Sequence, residues 1–239
     1  MIIISLVTKI LHYLPGELSH SIALRSLKFL NSFGIIRLLN ISSIYDFTER
    51  DIRNRINMVG IAAGLDKNGD YIDCLASLGI GFIEVGTVTP KPQEGNPKPR
   101  ISRNKKEKSL LNRLGFNNKG VDYLVEKLKK RQSEVILGSS IGKNFDTPND
   151  KAYEDYIYCL EKVYEFSDYS AVNISSPNTK DLRKLGSKDF FDSLLKKLKD
   201  SHAELSKRFG YKPIFIKISP DETQANLALI CKSIVSNQM

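Results

Sequence analysis

The sequence predicts an α/β fold, and three observations support this prediction. From Val59 onward, short apolar runs typical of buried strands alternate with longer runs of helical periodicity, which is the pattern of parallel βαβ units. Polar residues follow nearly every strand, as in a (β/α)8 barrel, whereas a doubly wound sheet concentrates its ligand contacts at one switch point. Only about five such units occur in the 239 residues, although a closed barrel needs eight. We therefore predict the TIM barrel type with about five of its eight βα units.

The first 45 residues differ from the rest and predict an N-terminal helical segment, which leaves the barrel domain to residues 46–239. Apolar residues recur at helical spacing up to Pro15-Gly16 and again up to Gly34. Neither run reaches the ~18 apolar residues of a spanning helix, and no signal peptide is evident. The two helices fit a membrane anchor lying in the interface, and they fit equally a helical hairpin packed on the main domain. The basic residues among them are Lys9, Arg25, Lys28 and Arg37.

Five strands and their helices are predicted in chain order. The strands cover residues 59–63, 82–88, 134–138, 169–172 and 213–218. The helices cover residues 72–78, 121–128, 153–163, 190–198 and 227–234. A loop rich in proline, glycine and asparagine runs from Thr89 to about Asn118, and its charged stretch 103–108 is expected to be a solvated turn. A long loop within a compact domain is usually functional.

Composition and charge narrow the function. The formal net charge of +9 admits nucleic acid, an anionic membrane surface or an ordinary lysine-rich surface, but no basic motif with interleaved aromatic residues supports nucleic acid. Three scattered cysteines in apolar contexts predict reduced core thiols in a cytosolic compartment, without a disulfide framework or a metal site. The three histidines lie in no motif, so a Ser-His-Asp hydrolase is not expected.

Two candidate site segments follow the first two strands. Small residues at 62–64 would let a flat ring approach the backbone, and Lys67 would place a positive charge beside a heterocycle or a carboxylate. The structural alternative is a βα turn with a surface lysine. The segment 86–100 is rich in proline and glycine, which predicts a loop of fixed backbone course that loses little conformational entropy on folding.

Two further segments are dense in asparagine. In 112–118, Asn112 and Asn117 suit amide or carboxylate groups, although capping of the next helix also explains asparagine there. The segment 173–178 ends a strand with two asparagines and carries Ser176, which has no evident histidine partner. A polar turn closed by proline explains this segment about as well.

Several segments of the sequence carry motifs that together resemble a known enzyme family. They are AAGLDKNG (62–69), EVGTVTPKPQEGNPKPR (84–100), NRLGFNN (112–118), IGKN-DTP (141–148), NISSPNT (173–179) and the strand ending in Lys217. Together they resemble the class 2, quinone-dependent dihydroorotate dehydrogenases. The motifs occur in family order over nearly the whole chain, which resembles the N-terminal two-thirds of that family. The two N-terminal helices are similar to the segment with which that class docks to the membrane and admits quinone.

The resemblance implies a (β/α)8 barrel holding FMN that oxidises dihydroorotate to orotate in pyrimidine biosynthesis and passes electrons to a membrane quinone. It assigns FMN contacts to Ala63, Gly64, Lys67, Thr87, Asn173 and Lys217. It assigns substrate contacts to Lys67, Asn112, Arg113, Leu114, Gly115, Phe116, Asn173 and Asn178. Ser176 would be the catalytic base that takes the C5 proton, with positioning and desolvation compensating for its weak basicity. A peripheral protein on the cytoplasmic side of the cell membrane, attached through residues 1–40, is expected.

Two departures from the family pattern leave alternatives open. Ser140 stands where family members usually have an asparagine that is expected to touch the flavin. The last three barrel strands, which in the family bring an Asn-Thr substrate contact and the FMN-phosphate loops, are missing from the sequence, so the chain is expected to be truncated. The alternative is therefore an inactive remnant that binds no FMN. A weaker alternative is a membrane-surface binding module that uses only the N-terminal helices and the basic charge.

Overall fold

The computed structural model of the chain describes residues 2–38, 59–175 and 188–238. The helices are α1 (Ile2–Tyr13), α2 (Gly16–Ser32), α3 (Ile35–Leu38), α4 (Ile72–Ala76), α5 (Val121–Leu128), α6 (Ala152–Val163), α7 (Lys188–Phe209) and α8 (Gln224–Ser236). The strands are β1 (Gly60–Ile61), β2 (Phe82–Val88), β3 (Ile101–Asn104), β4 (Ser109–Asn112), β5 (Ile136–Ile141), β6 (Tyr169–Asn173) and β7 (Ile214–Lys217). Short 3-10 turns flank α6 at Asn149–Lys151 and Tyr164–Phe166.

Five of the strands form one parallel sheet in the order β1-β2-β5-β6-β7. The order follows the chain, and helices lie between successive strands, as the alternating pattern predicts. The predicted fold class, with five βα units of the barrel type, is confirmed. Because parallel strands align their carboxyl ends at one edge, residues that follow the strands gather there. The register of β6 and β7 pairs Asn173 with Lys217 at that edge.

The central strands are buried on both faces, which explains why they read as nearly continuous apolar runs. On β2, Ile83, Val85 and Val88 have no exposed surface. The helix α5 buries residues three to four positions apart on one face, and α6 does the same. The buried positions of these two helices are Val121, Leu124, Val125, Leu128, Ala152, Tyr156, Cys159, Leu160 and Val163.

The prediction of a loop throughout 89–118 is wrong in its middle, where β3 and β4 pair as an antiparallel hairpin. Arg103 was expected in a solvated turn, but its guanidinium donates to the carbonyl of Leu14 at 2.7 Å and to the hydroxyl of Ser19 at 3.0 Å. A Cβ on Gly16 would lie 2.6 Å from Cγ2 of Ile101, so the start of α2 touches β3 directly. The hairpin depends on these helices as partners, and a local sequence pattern does not reveal such a distant partner.

The N-terminal helices pack on the domain and also keep apolar residues at their surface. A ring nitrogen of His20 lies 2.7 Å from the carbonyl oxygen of Leu65, and Lys28 donates to the carbonyl of Asp70 at 2.8 Å. Leu24 is buried between α2 and the domain. The exposed apolar residues on α1 and α2 include Val7, Ile10, Tyr13, Leu18, Ile22 and Phe29. Among the helices in the described part of the chain, none is both long and apolar enough to cross a membrane.

Candidate active site

A chain of buried hydrogen bonds runs along the carboxyl edge of the sheet. The side-chain amide of Asn173, at the end of β6, donates to Oγ1 of Thr87 on β2 at 2.9 Å. Thr87 Oγ1 shares a further 2.9 Å hydrogen bond with the Ser140 hydroxyl on β5. The Asn173 Oδ1 atom accepts from the backbone N–H and the hydroxyl of Ser175. The carboxamide of Asn173 is therefore fixed at both ends, and its nitrogen keeps a second hydrogen for a ligand.

The loop after β1 is rigid and leaves open space beside its backbone. Gly64 has a φ of +109°, and a Cβ at this position would meet no atom within 4 Å. Its N–H donates to the carbonyl of Gly86 at 2.8 Å. Asp66 is buried and accepts from the N–H groups of Asp70 and Tyr71, which holds the loop against the start of α4. Burial raises the pKa of this carboxyl group above its usual range.

Lys67 lies on the same loop and is a partly dehydrated cation. Burial lowers the pKa of its ammonium group, and the positive charge of Arg100 lowers that pKa further, whereas the carboxylate of Glu17 raises it. Arg100 is itself held by Glu17, because its Nε and Nη2 atoms both donate to Glu17 Oε1, at 3.0 and 2.9 Å. An anion that pairs with Lys67 would replace lost solvation, so this position favours a carboxylate ligand.

Lys67 lines a cavity of about 440 Å³ between α2 and the end of β1. The cavity brings Lys67 together with Asn112 and Leu114, two further residues predicted from the sequence. Asn117 also lines it, and its buried Oδ1 atom has no hydrogen-bond partner in the described part of the chain. A buried acceptor without a partner is rare in folded proteins. From α2 the cavity receives Glu17, His20, Ser21 and Arg25.

The segment 112–118 is held by hydrogen bonds to its own carbonyl groups. Asn96 donates from its side chain to the carbonyl of Arg113 and from its backbone to that of Leu114. The next two carbonyls, of Gly115 and Phe116, accept from the side chains of Gln93 and Asn118, respectively. The backbone here is compact, with positive φ at Gly115 and Phe116.

Phe116 connects this segment to the polar chain at the strand ends. A Cβ on Gly142 would lie 3.0 Å from Cε2 of Phe116 and 2.8 Å from Cγ2 of Thr87, so the three residues touch. The aromatic ring of Phe116 therefore lies close to Thr87, which accepts the hydrogen bond from Asn173. Arg113 differs, because its exposed side chain donates to the carbonyl of Pro99 at 3.0 Å on the outside of the hairpin.

Comparisons with known proteins identify the family. A family model described as Dihydroorotate dehydrogenase matches residues 51–238. The chain belongs to the dihydroorotate dehydrogenase family. It is 46% identical over 233 residues to the dihydroorotate dehydrogenase (quinone) of Acinetobacter baylyi, and 51% identical over 184 residues to that of Vibrio atlanticus. These alignments cover 97% and 77% of this chain, and 69% and 55% of the respective relatives.

A solved structure agrees with this assignment. The crystal structure of a dihydroorotate dehydrogenase from Eimeria tenella in complex with ferulenol matches with a TM-score of 0.74 and 31% identity. The match covers 93% of this chain but 64% of the Eimeria chain. The predicted family and its class of oxidoreductase are confirmed. Neither curated relative supports an inactive remnant, since both carry the name of the enzyme.

The remaining predicted residues of the dihydroorotate dehydrogenase site fall into two groups. Ser176 and Asn178 lie outside the described residues. Ala63 adjoins Gly64 and is half-buried, whereas Lys217 is exposed on β7, beside the strand that carries Asn173. The contacts of all predicted site residues with FMN and substrate stay predictions.

Sequence reasoning missed the contribution of α2 to this site. Glu17, His20, Ser21 and Arg25 follow one another at spacings of three, one and four residues, which places them on one face of the helix. This polar stripe is a signal in the sequence, although neither His20 nor its neighbours form a recognisable motif. The role of Arg100 had no local signal, since its carboxylate partner lies 83 positions earlier.

Proposed function

We propose that this protein oxidises dihydroorotate to orotate, with FMN as cofactor and a membrane quinone as electron acceptor, in pyrimidine biosynthesis. The observation that carries the proposal is the cavity that Lys67 lines together with Asn112 and Asn117. Dihydroorotate presents a carboxylate to the Lys67 ammonium, and its ring N–H and carbonyl groups suit the side-chain amides of the two asparagines. The names of the curated relatives support the same reaction.

The residues present fit the isoalloxazine ring of FMN. Gly64 leaves open space beside the backbone, and Asn173 offers an oriented amide hydrogen. When bound, FMN supplies the acceptor for the hydride that leaves the substrate. Ser140 contributes indirectly, because its short side chain bonds Thr87 and thereby helps to hold Asn173. At the position where an asparagine is usual, this chain therefore has a serine that helps to hold Asn173 through Thr87.

The side chains of this protein would bind and deprotonate the substrate. Lys67 holds the carboxylate, and Asn112 and Asn173 orient the ring through their amide groups. Ser176 removes the proton from C5, and amide and ammonium donors stabilise the charge that develops on the neighbouring carbonyl. The α2 helix covers the cavity and limits access of water, which strengthens these electrostatic interactions.

The quinone would reach the cavity along the polar face of α2, where the guanidinium of Arg25 can donate to its carbonyl oxygens. We infer that residues 1–40 attach the protein to the cytoplasmic side of the cell membrane as a peripheral protein. The exposed side chains of Leu18, Phe29 and Phe33 support this inference, because they give α2 an apolar surface. The division into segments 1–45 and 46–239 belongs to the same proposal.

A flavin assay tests the proposed reaction. The purified protein should be yellow, and its visible absorbance should bleach on anaerobic addition of dihydroorotate. Lys67→Met should weaken the response to dihydroorotate by about 30- to 150-fold, because a charge-assisted hydrogen bond contributes about 2–3 kcal/mol. Lys106→Met, in the exposed hairpin turn, is the matched control and should bleach normally. A colourless protein, or equal bleaching in both variants, would contradict the proposal.

Vesicle flotation tests the membrane attachment. Phe29→Ser combined with Phe33→Ser should release most of the protein from phosphatidylethanolamine–phosphatidylglycerol vesicles, since each buried aromatic side chain contributes about 1.5–3 kcal/mol. Tyr211→Ser removes an aromatic residue with 76% exposure from the other end of the chain and should float like the native protein. Equal flotation of all three proteins would exclude α2 as the attachment surface.

A further inference from the structure

Gln93 links two parts of the candidate site that lie far apart in sequence. Its Oε1 atom accepts from the side-chain amide of Asn144 at 2.9 Å and from the backbone N–H of Phe145 at 3.0 Å. Its Nε2 atom donates to the carbonyl of Gly115 at 3.0 Å. One end of the amide therefore touches the turn after β5, and the other end touches the segment 112–118.

These partners require an amide at position 93. The N–H of Phe145 can only donate, so the oxygen of Gln93 must face it, and the carbonyl of Gly115 can only accept, so the nitrogen must face that side. A carboxylate could serve the first partner but not the second. The orientation of the side-chain amide is thus fixed by the chemistry of its neighbours.

The bond to Gly115 sets the direction of the next peptide group. A trans peptide is planar, with its carbonyl and the following N–H on opposite sides. When the Gly115 carbonyl faces the Gln93 side chain, the N–H of Phe116 points away from that side chain. Gly115 and Phe116 both have positive φ, which a phenylalanine rarely adopts, so this conformation depends on the contacts that hold it.

The surroundings of Gln93 make it a rigid support. Its backbone N–H and carbonyl bond the backbone of Asn118 in both directions at 3.0 Å. Asn144 is buried and also bonds the backbone of Lys91 through its Oδ1 and Nδ2 atoms. A side chain anchored to this degree can impose its geometry on the segment that it contacts.

We propose that Gln93 is a positioning residue, which holds the Gly115–Phe116 peptide in the conformation that binds the substrate. This inference rests on the proposed function, and it concerns a residue outside the predicted contacts with FMN and substrate. The amide of Gln93 acts through the peptide and not on the ligand itself.

Gln93→Glu is the decisive substitution, because it preserves shape and both acceptor contacts but removes the donor to Gly115. Orotate, used as the probe in calorimetric titration, should bind about tenfold more weakly at pH 7.5, which is the factor for one lost hydrogen bond. A protonated carboxyl group regains a donor, and the ordinary pKa of glutamate is about 4.3. Lowering the pH to 5 should therefore restore part of the affinity in Gln93→Glu but not in Gln93→Met.

Tryptic cleavage after Arg113 is the second readout, and it needs no ligand. Cleavage should be several-fold faster in Gln93→Glu and Gln93→Met than in Gln132→Glu, which alters an exposed glutamine and should match the native protein in both assays. Unchanged cleavage, or faster cleavage with unchanged orotate affinity, would overturn the proposal. If the native protein binds no orotate, the proposed function fails, and the cleavage rates alone decide whether Gln93 holds the segment.

Discussion

Replacing Glu17 by glutamine tests how the N-terminal helices are held on the barrel. Glu17 is on the first turn of α2, and its Oε1 atom accepts two hydrogen bonds from Arg100 at the base of the β3–β4 hairpin. The Arg100 side chain is 6% exposed and that of Glu17 is 30% exposed. Glutamine keeps the size and the acceptor oxygen, so the substitution removes only the negative charge.

The expected loss follows from these two bonds. A hydrogen bond to a charged group contributes about 1.5–3 kcal/mol, and one between neutral groups contributes about 0.5–1.5 kcal/mol. The difference is about 1 kcal/mol for each bond, and partial exposure of Glu17 screens some of it. We expect Glu17→Gln to lower the free energy of unfolding by about 1–2 kcal/mol. Glu17→Met also removes the acceptor and leaves Arg100 buried without its counter-charge, so the loss should reach about 3–5 kcal/mol.

Urea unfolding followed by circular dichroism measures both losses. Glu107→Gln, in the exposed turn of the same hairpin, is the matched control and should stay within about 0.5 kcal/mol of the native protein. A double-mutant cycle with Arg100→Met isolates the interaction between the two residues. If Glu17→Gln unfolds at the same urea concentration as Glu107→Gln, the ion pair contributes nothing and the reasoning is refuted.

Three further outcomes can be checked on the native protein and simple variants. Iodoacetamide at pH 8 should modify the exposed Cys231 and spare the buried Cys74 and Cys159. The reason is that burial raises the pKa of Cys74 to about 11 and that of Cys159 well above its usual range. Mass spectrometry of the labelled peptides shows which of the three cysteines is modified. Asp70→Asn should cost about 1 kcal/mol at pH 7 in urea unfolding. Burial raises the pKa of Asp70, but hydrogen bonds and lysine charges lower it more, so the pKa is lower in the folded than in the unfolded protein. The stability that the Asp70 carboxylate contributes is therefore present above its unfolded pKa and is lost as pH falls through its folded pKa. If Asp70→Asn costs as much at pH 2 as at pH 7, this assignment is contradicted. Orotate affinity in calorimetric titration should fall as pH rises through the lowered pKa of Lys67, and Lys67→Met should abolish that dependence.

The parallel sheet could be predicted because its signals are local. Each strand is a short apolar run with polar residues after it, and each helix shows its own periodicity. The clusters around Lys67 and Asn173 stood out for the same reason, since each lies within a few residues of a strand end. Right-handed crossovers then bring such ends to one edge without further information.

The hairpin and the contribution of α2 could not be predicted in this way. The strands β3 and β4 are partly or fully exposed along their length, so they lack the apolar alternation of a core strand. Arg103 looks like part of a solvated charge run, and only the three-dimensional structure shows that it bonds Leu14 and Ser19. Contacts between residues more than 80 positions apart leave no trace in local periodicity.

The electrostatics of Lys67 link substrate binding to the attachment of α2. Arg100 lowers the pKa of Lys67 and Glu17 raises it, so the charge balance at the proposed substrate position depends on a residue of the N-terminal helix. The same carboxylate also holds Arg100 in place. Any displacement of α2 would withdraw this negative charge and leave the cations of Lys67 and Arg100 without it. Because like charges repel strongly in a poorly solvated site, the packing of α2 on the domain and the charge on Lys67 favour one another. The α2 helix therefore covers the cavity and also supplies a negative charge that acts on Lys67.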